Sequence, residues 1–204
     1  MPPIQDLRSF IAVLEDAGQV TLLKKPVSLV HDLANVAANI QRQGRGAVLF
    51  EEPEEAVWPV FAGAVGSSTL ASLALECDVS AIIETMGRAL DPTKAILPQR
   101  VKKAECQQNV LTGDAVDLRR LPIPTHGLHD GGPFITGGIT IARDPVSGRG
   151  NLSYNRMQVL GPRTFGFNVN EWRHVRQFLD AQEAIDAPLP RAVAIGLDPA
   201  ARID

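Results

Sequence analysis

The feature that most constrains the fold of this chain is a change of hydrophobic period near residue 100. Before that point, apolar residues recur at helical spacing and alternate with short apolar runs. Asp6 is placed to cap a helix carrying Leu7, Phe10, Ile11 and Leu14, and Gly18 is placed to end it. The segment VTLLKKP, Val20 to Pro26, reads as a strand. Leu33, Val36, Ala37 and Ile40 line a second helix that stops at Gly44. AVLF and PVFAG read as buried strands, Ser67 or Ser68 caps a helix through Leu75, and Asp78 caps another through Leu90. Asp91-Pro92 then breaks the pattern. Helices alternating with strands predict an α/β unit with its boundary within residues 91–104.

From Glu105 onward, strand-like segments follow one another with Pro and Gly between them, so this half is expected to be mainly β. NVL reads as a short strand ending at Thr112-Gly113, and LRRLPIPTHG is held extended by its prolines. FITGGITIARDP runs into the turn DPVSGRG and returns as NLSYNRMQVLGP, which predicts an antiparallel hairpin. TFGFNV is a further strand, EWRHVRQFLDAQEA a helix with Trp172, Val175 and Leu179 on one side, and RAVAIGLDP a buried strand. The chain as a whole is therefore α+β.

The hairpin's return arm is unusual. Read as a straight strand, it puts Asn151, Ser153 and Asn155 on one face and Tyr154, Arg156 and Gln158 on the other. Polar side chains are costly to bury unless something pairs with them. Either the strand is a solvated edge or it belongs to a sheet folded around a polar ligand. Arg156 is the side chain best suited to an anion, because its planar fork makes bidentate bonds to carboxylate or phosphate. Asn151 and Arg156 have opposite parity, so a bulge or bend is expected if both are to face one ligand. Gly131, Gly132, Gly137 and Gly138 mark bulges or close approaches. THGLHDGGP, with His126, His129 and Asp130, could be a metal site. It could equally be a loop bonding its own backbone, which its Gly- and Pro-rich spacing favours. His174 lies in the first turns of a helix, where a phosphate is favoured, beside Arg173; a surface histidine is the other reading.

The bulk properties exclude several classes. A formal charge of −3 predicts no general attraction to nucleic acid or anionic lipid. Cys77 and Cys106 lie outside any CxxC spacing, which argues against a zinc site or a disulfide framework. No run approaches the roughly 20 apolar residues of a membrane span, and MPPIQDLRSF does not read as a signal segment, so a cytoplasmic protein is expected.

Taken together, DLRSFIAVLEDAGQV, the block GDAVDLRRLPIPTHGLHDGGPFITGGITIARDP, and NLSYNRMQVLGP with its following helix resemble the UbiD family of reversible decarboxylases. The resemblance spans essentially the whole chain in the same motif order. It implies an N-terminal α/β domain over residues 1–100 and, over residues 101–204, the first part of a split β-barrel that binds prenylated FMN. The implied ions are Mn2+, with K+ as an additional ion. The implied reaction is the non-oxidative, reversible decarboxylation of aromatic, heteroaromatic or α,β-unsaturated acids. The implied partners are a small carboxylic acid, a flavin prenyltransferase that supplies the cofactor, and further copies of the chain.

Carried over by position, the resemblance makes Asn151 and His174 metal ligands beside the cofactor phosphate, and Arg156 the catalytic residue facing the reacting end of the flavin. Ser153, Tyr154, Asn155, Asn168, Val169, Asn170 and Arg173 fall in cofactor-lining segments. Tyr154-Asn155 departs from members with an aromatic or aliphatic pair before the Arg. The family also continues well past RAVAIGLDPA, and that continuation carries a third, acidic metal ligand and the carboxylates that partner the Arg. This chain is thus expected to be the N-terminal part of such an enzyme, inactive alone. Two other readings are a non-catalytic flavin- or phosphate-binding subunit that needs a partner chain and, more weakly, an ordinary flavin reductase.

Overall fold

The chain starts its first helix with a reciprocal cap. In a computed structural model that describes residues 4–94, 96 and 99–203, the Asp6 carboxylate accepts from Ser9 N–H at 2.8 Å, and the Ser9 hydroxyl takes Asp6 N–H in return. The helix α1 (Leu7–Asp16) ends where Gly18 adopts φ +65°, a left-handed conformation that side chains disfavour. Then come β1 (Val20–Leu23), α2 (Asp32–Arg42), β2 (Ala47–Phe50), β3 (Val60–Ala62) and α3 (Ser68–Ala74). Ser67 caps α3 through Leu70 N–H. The next helix starts as a 3-10 turn, Val79–Ala81, before α4 (Ile82–Ala89), and Asp78 makes no side-chain cap bond, contrary to the capping role expected of it.

The three strands form one sheet in the order β1-β2-β3, with β1 parallel and β3 antiparallel to β2. Strand alternation sends successive β2 residues to opposite faces. Ala47 joins Phe10, Leu14 and Leu70 of α1 and α3, while Val48 and Phe50 join Leu33, Ala37 and Ile40 of α2. The sheet is therefore covered on both sides, as the period of this region requires.

Beyond Ala89 the described backbone makes isolated 3-10 turns rather than long elements. NVL, expected as a strand, is irregular. It precedes the turns at Gly113–Ala115 and Leu118–Arg120, and Leu118 N–H donates to Pro162 O. The β-rich part comprises β4 (Phe134–Ile135), β5 (Gly138–Arg143), β6 (Gly150–Tyr154), β7 (Met157–Gly161), β8 (Thr164–Phe167), α5 (His174–Glu183) and β9 (Arg191–Ile195). Two further three-stranded sheets result, β4-β7-β8 and β6-β5-β9. No closed barrel is formed among the described residues.

The expected hairpin is present, but both arms break at one level. Its distal half pairs Ile139 with Tyr154 in one sheet; its proximal half pairs Ile135 with Met157 in the other. Gly138 is what the joint needs. A Cβ there would lie 2.8 Å from Met157 Cε and 3.0 Å from Ile135 Cγ2, closer than packed carbons approach. The helix α5 covers one face of β6-β5-β9 by packing Val175 and Phe178 on Ala142. Trp172, expected on that apolar side, precedes the helix and is 85% exposed; Phe178 fills the role instead.

The two parts meet where Ile203 packs on the core of Phe10, Leu14 and Leu70, and again at a short backbone seam. Val30 and Thr125 form a parallel bridge, with His31 N–H donating to Thr125 O at 2.8 Å and Thr125 N–H to Leu29 O at 3.1 Å. His31 holds φ +69° there, a strained value for a non-glycine residue. Glu55 braces the same segment by accepting from Ser28 Oγ at 2.6 Å and Leu29 N–H at 2.7 Å.

Candidate functional site

The break in the hairpin's return arm positions the candidate site. Asn155 and Arg156 lie outside both ladders, between β6 and β7. Strand alternation therefore does not fix Asn151 and Arg156 on opposite faces, since Asn151 lies in β6 and Arg156 beyond its end. Ser153 is buried and donates to Asn155 Oδ1 at 2.8 Å, which satisfies its hydroxyl and ties the end of β6 to the break. Arg156 is exposed, with its guanidinium 4.9 Å above the centre of the Phe134 ring. That stacking fixes the cation while leaving the edge of the fork available. Tyr154 is 37% exposed on the face of β6 opposite Asn151 and Ser153.

Asn151, on the α5 side of β6, meets the first residue of α5. His174 Nδ1 and Asn151 Oδ1 are 3.0 Å apart. A hydrogen bond at that distance requires Nδ1–H to donate, which leaves Nε2 as an acceptor. The same separation suits a shared cation: two ligands at about 2.1–2.3 Å and a right angle stand roughly 3.0–3.2 Å apart. Two donors do not complete a coordination sphere. No group of three or more His, Cys, Asp or Glu is placed to hold a metal among the described residues, so a cation at this pair would need further ligands.

The segment before α5 divides. Asn170 accepts from Trp172 N–H through its side chain at 3.3 Å and from Arg173 N–H through its carbonyl at 3.0 Å, so it shapes the entry to the helix. Arg173 is the N-cap residue, exposed and without a side-chain cap bond. Val169 packs into the apolar cluster of Ala142, Val175 and Phe178. Asn168 lines a cavity of about 380 Å³ with Phe167, Arg176 and Arg191. Arg191 and Asn151 flank Ala142 on opposite sides in the sheet register, with α5 packed over Ala142. The structure therefore brings together Asn151, His174 and Arg173, keeps Ser153, Asn155 and Arg156 one break away, and sets Asn168 beside Arg191.

His126 was weighed in the sequence only as part of a metal site or a self-bonding loop. Asp130 Oδ2 accepts from Gly127 N–H at 2.8 Å, a local turn bond of the second kind. His126 Nε2, however, lies 3.4 Å from Thr136 Oγ1, and its Nδ1 is buried with no partner among the described residues. Burial, the main cause, and the charge of Arg156 lower its pKa, while Asp130 opposes them. Phe134 and Thr136, which carry Arg156 and His126, had no mark beyond strand-forming character.

An α/β unit joined to paired small sheets, with an Asn–His donor pair at a helix start, defines the class of domain. Residues 11–90 match the 3-octaprenyl-4-hydroxybenzoate carboxy-lyase N-terminal domain, and residues 99–203 match the Rift-related domain of the same enzymes. The chain belongs to the UbiD family.

It is 34% identical to the UbiD-class enzyme HmfF from Pelotomaculum thermopropionicum, solved as an evolved dimeric form in complex with prFMN. The match covers 96% of this chain and 45% of that one, with a TM-score of 0.87. Klebsiella pneumoniae 3,4-dihydroxybenzoic acid decarboxylase is 30% identical, with 96% and 43% covered and the same TM-score. An uncharacterized protein from the cooM 5' region of Rhodospirillum rubrum is 32% identical over 196 residues, 96% of this chain and 42% of that protein. The chain thus spans less than half the length of these relatives.

Proposed function

We propose that the polypeptide carrying this sequence, as its N-terminal part, is a prenylated-FMN-dependent decarboxylase of aromatic, heteroaromatic or α,β-unsaturated carboxylic acids. The observation that carries this reading is the 3.0 Å Asn151–His174 pair, one strand break from Arg156. The donor set suits a hard divalent ion, Mn2+, with the cofactor phosphate at the start of α5 and Arg173 beside it. Prenylated FMN, supplied by a flavin prenyltransferase, provides the electron sink for loss of carbon dioxide.

The chain's own residues then have separate tasks. Asn151 and His174 would hold the metal, which would supply positive charge beside the phosphate. Ser153 and Asn155 hold the end of β6 against the break. Arg156, stacked on Phe134, presents its fork to the substrate carboxylate and to acidic groups from elsewhere in the polypeptide. Guanidinium cannot deliver the proton that replaces carbon dioxide, so a carboxylic acid outside this sequence does so. Within this reading, residues 1–100 are the α/β domain and residues 101–204 the first part of a split barrel, in a cytoplasmic homo-oligomer.

The test is reconstitution of the longest form of the polypeptide with prenylated FMN and Mn2+, followed by carbon dioxide release from a panel of acids under anaerobic conditions. Arg156→Lys keeps the charge but loses the fork, and is expected to lower turnover about 100-fold or more with little change in cofactor binding. Asn151→Ala is expected to weaken Mn2+ retention at least roughly tenfold. Wild-type turnover in the first variant, or wild-type metal retention in the second, overturns the corresponding assignment.

A further inference from the structure

The loop that closes the seam also delivers a histidine to the neighbourhood of Arg156. Thr125 is pinned to Leu29 and His31 by backbone bonds, and Phe134 N–H donates to Pro124 O at 3.1 Å. The two residues just before His126 are thus held to separate parts of the fold, Thr125 to the first region and Pro124 to β4. Phe134 is in β4 and Thr136 follows its end by one residue, so both stand beside the loop segment that Pro124 and His126 bring against them. Arg156 stacks on the first and His126 contacts the second. The guanidinium and the imidazole are thus both anchored within the segment 134–136, near enough for the charge of Arg156 to act on His126.

We propose that His126 is a positioning residue for Arg156: a neutral imidazole beside the guanidinium that keeps it stacked on Phe134 with its fork facing away from the strand. This rests on the reading of Arg156 as the substrate-facing group. The charged groups acting on His126 are Arg156 from the β6–β7 break and Asp130 from its own loop. With the imidazole neutral, Arg156 has no cationic neighbour there. Uptake of a proton sets a second positive charge beside it, and repulsion drives the guanidinium off the ring. Burial and Arg156 both hold that protonation below the ordinary histidine value of 6.5, so the stacked arrangement persists at neutral pH and is lost on the acid side.

Two measurements separate this proposal from the proposed reaction. The first follows the ring C–H signals of histidine in the cofactor-free, full-length polypeptide by NMR across pH, with His126 assigned by its loss in His126→Gln. Replacing Arg156 by Gln is expected to raise the His126 midpoint, because the neighbouring cation is gone. An unchanged midpoint overturns the proposal, whether or not the enzyme turns over any acid. The second compares kcat/KM against pH in the reconstituted enzyme. His126→Gln, which cannot take up a proton, is expected to remove the acid-side fall that wild type shows. His126→Lys, which places a fixed cation there, is expected to lower kcat/KM about tenfold or more at every pH. An acid-side fall of the same midpoint in His126→Gln and wild type overturns the proposal. Failure of every acid to react overturns the proposed function and leaves the NMR result to decide His126.

Discussion

In the first ninety residues a three-stranded sheet has helices on both faces, whereas the sheet β6-β5-β9 has α5 on one face and leaves Ile141 and Leu152 on the other 39% and 56% exposed. Thirteen of the buried apolar residues among those described lie between Phe10 and Ala74, against six from Ile135 to Phe178. The first region builds most of its core from its own residues, with Ile203 of the far end packed against it. The second builds strands with apolar surface still facing outward, the mark of a surface that meets another one. It also carries every residue proposed to touch metal, cofactor or substrate. Self-sufficiency and chemistry are thus assigned to different halves of the chain.

The largest effect expected from that contrast comes from paired truncations. Phe50→Ala, in the closed core, should cost about 3–5 kcal/mol in urea unfolding. Leu152→Ala should change the stability of residues 1–204 by no more than about 0.5 kcal/mol, but that of the longer polypeptide by about 2–5 kcal/mol if another segment covers the open face. Equal losses for Leu152→Ala in both forms would break the comparison. Residues 1–204 alone should also self-associate and release no carbon dioxide, measured by sedimentation and by the anaerobic assay.

A middle-sized effect is expected at the joint. Gly138→Ala should cost about 1–3 kcal/mol, because Met157 and Ile135 must give way to the added carbon. Chemical denaturation measures it, and a neutral result would show that the two sheets are not tightly packed there. At the seam, the Glu55 carboxylate is held below its ordinary value of 4.5, chiefly by the Leu29 N–H and then by the Ser28 hydroxyl. A carboxylate so lowered adds stability that is fully present above its unfolded value and lost as pH falls through the folded one. Glu55→Gln should therefore remove part of the acid-side loss, read as a smaller change in unfolding midpoint between pH 7 and pH 3. The smallest effect belongs to Thr140, fully buried in β5 with no partner for its hydroxyl among the described residues. Thr140→Val should be neutral or stabilising by up to about 1 kcal/mol, since it removes an unpaired polar group at constant shape.

The contrast also governs what could be read from the residues. Helical period, caps such as Asp6 and Ser67, and the apolar strand AVLF fix the first region locally, and each lies where its pattern puts it. NVL has strand composition but no neighbour with which to pair, and composition does not supply one. Trp172 fits the apolar stripe of a longer helix, yet α5 starts two residues later. In the site, Asn151 and Arg156 stood out because polar groups interrupt a strand pattern, whereas His174 was picked out by the family resemblance, since its place at a helix start fits a surface histidine equally well. His126 was noted only as part of a possible metal site or a self-bonding loop, because its contact depends on Thr136, ten residues away in a chain whose local pattern says nothing about the return of the loop.

The paired break in the hairpin sets more than the direction of two side chains. Thr136, Gly137, Asn155 and Arg156 lie between the two ladders, so no strand pairing spans the level at which both arms change sheet. Side-chain packing alone joins the sheets there, with Met157 of one and Val193 of the other both closing on Gly138. The gap between Asn151 and Arg156 is then a caliper opening, set by the angle between two sheets and not by the fixed repeat of a strand.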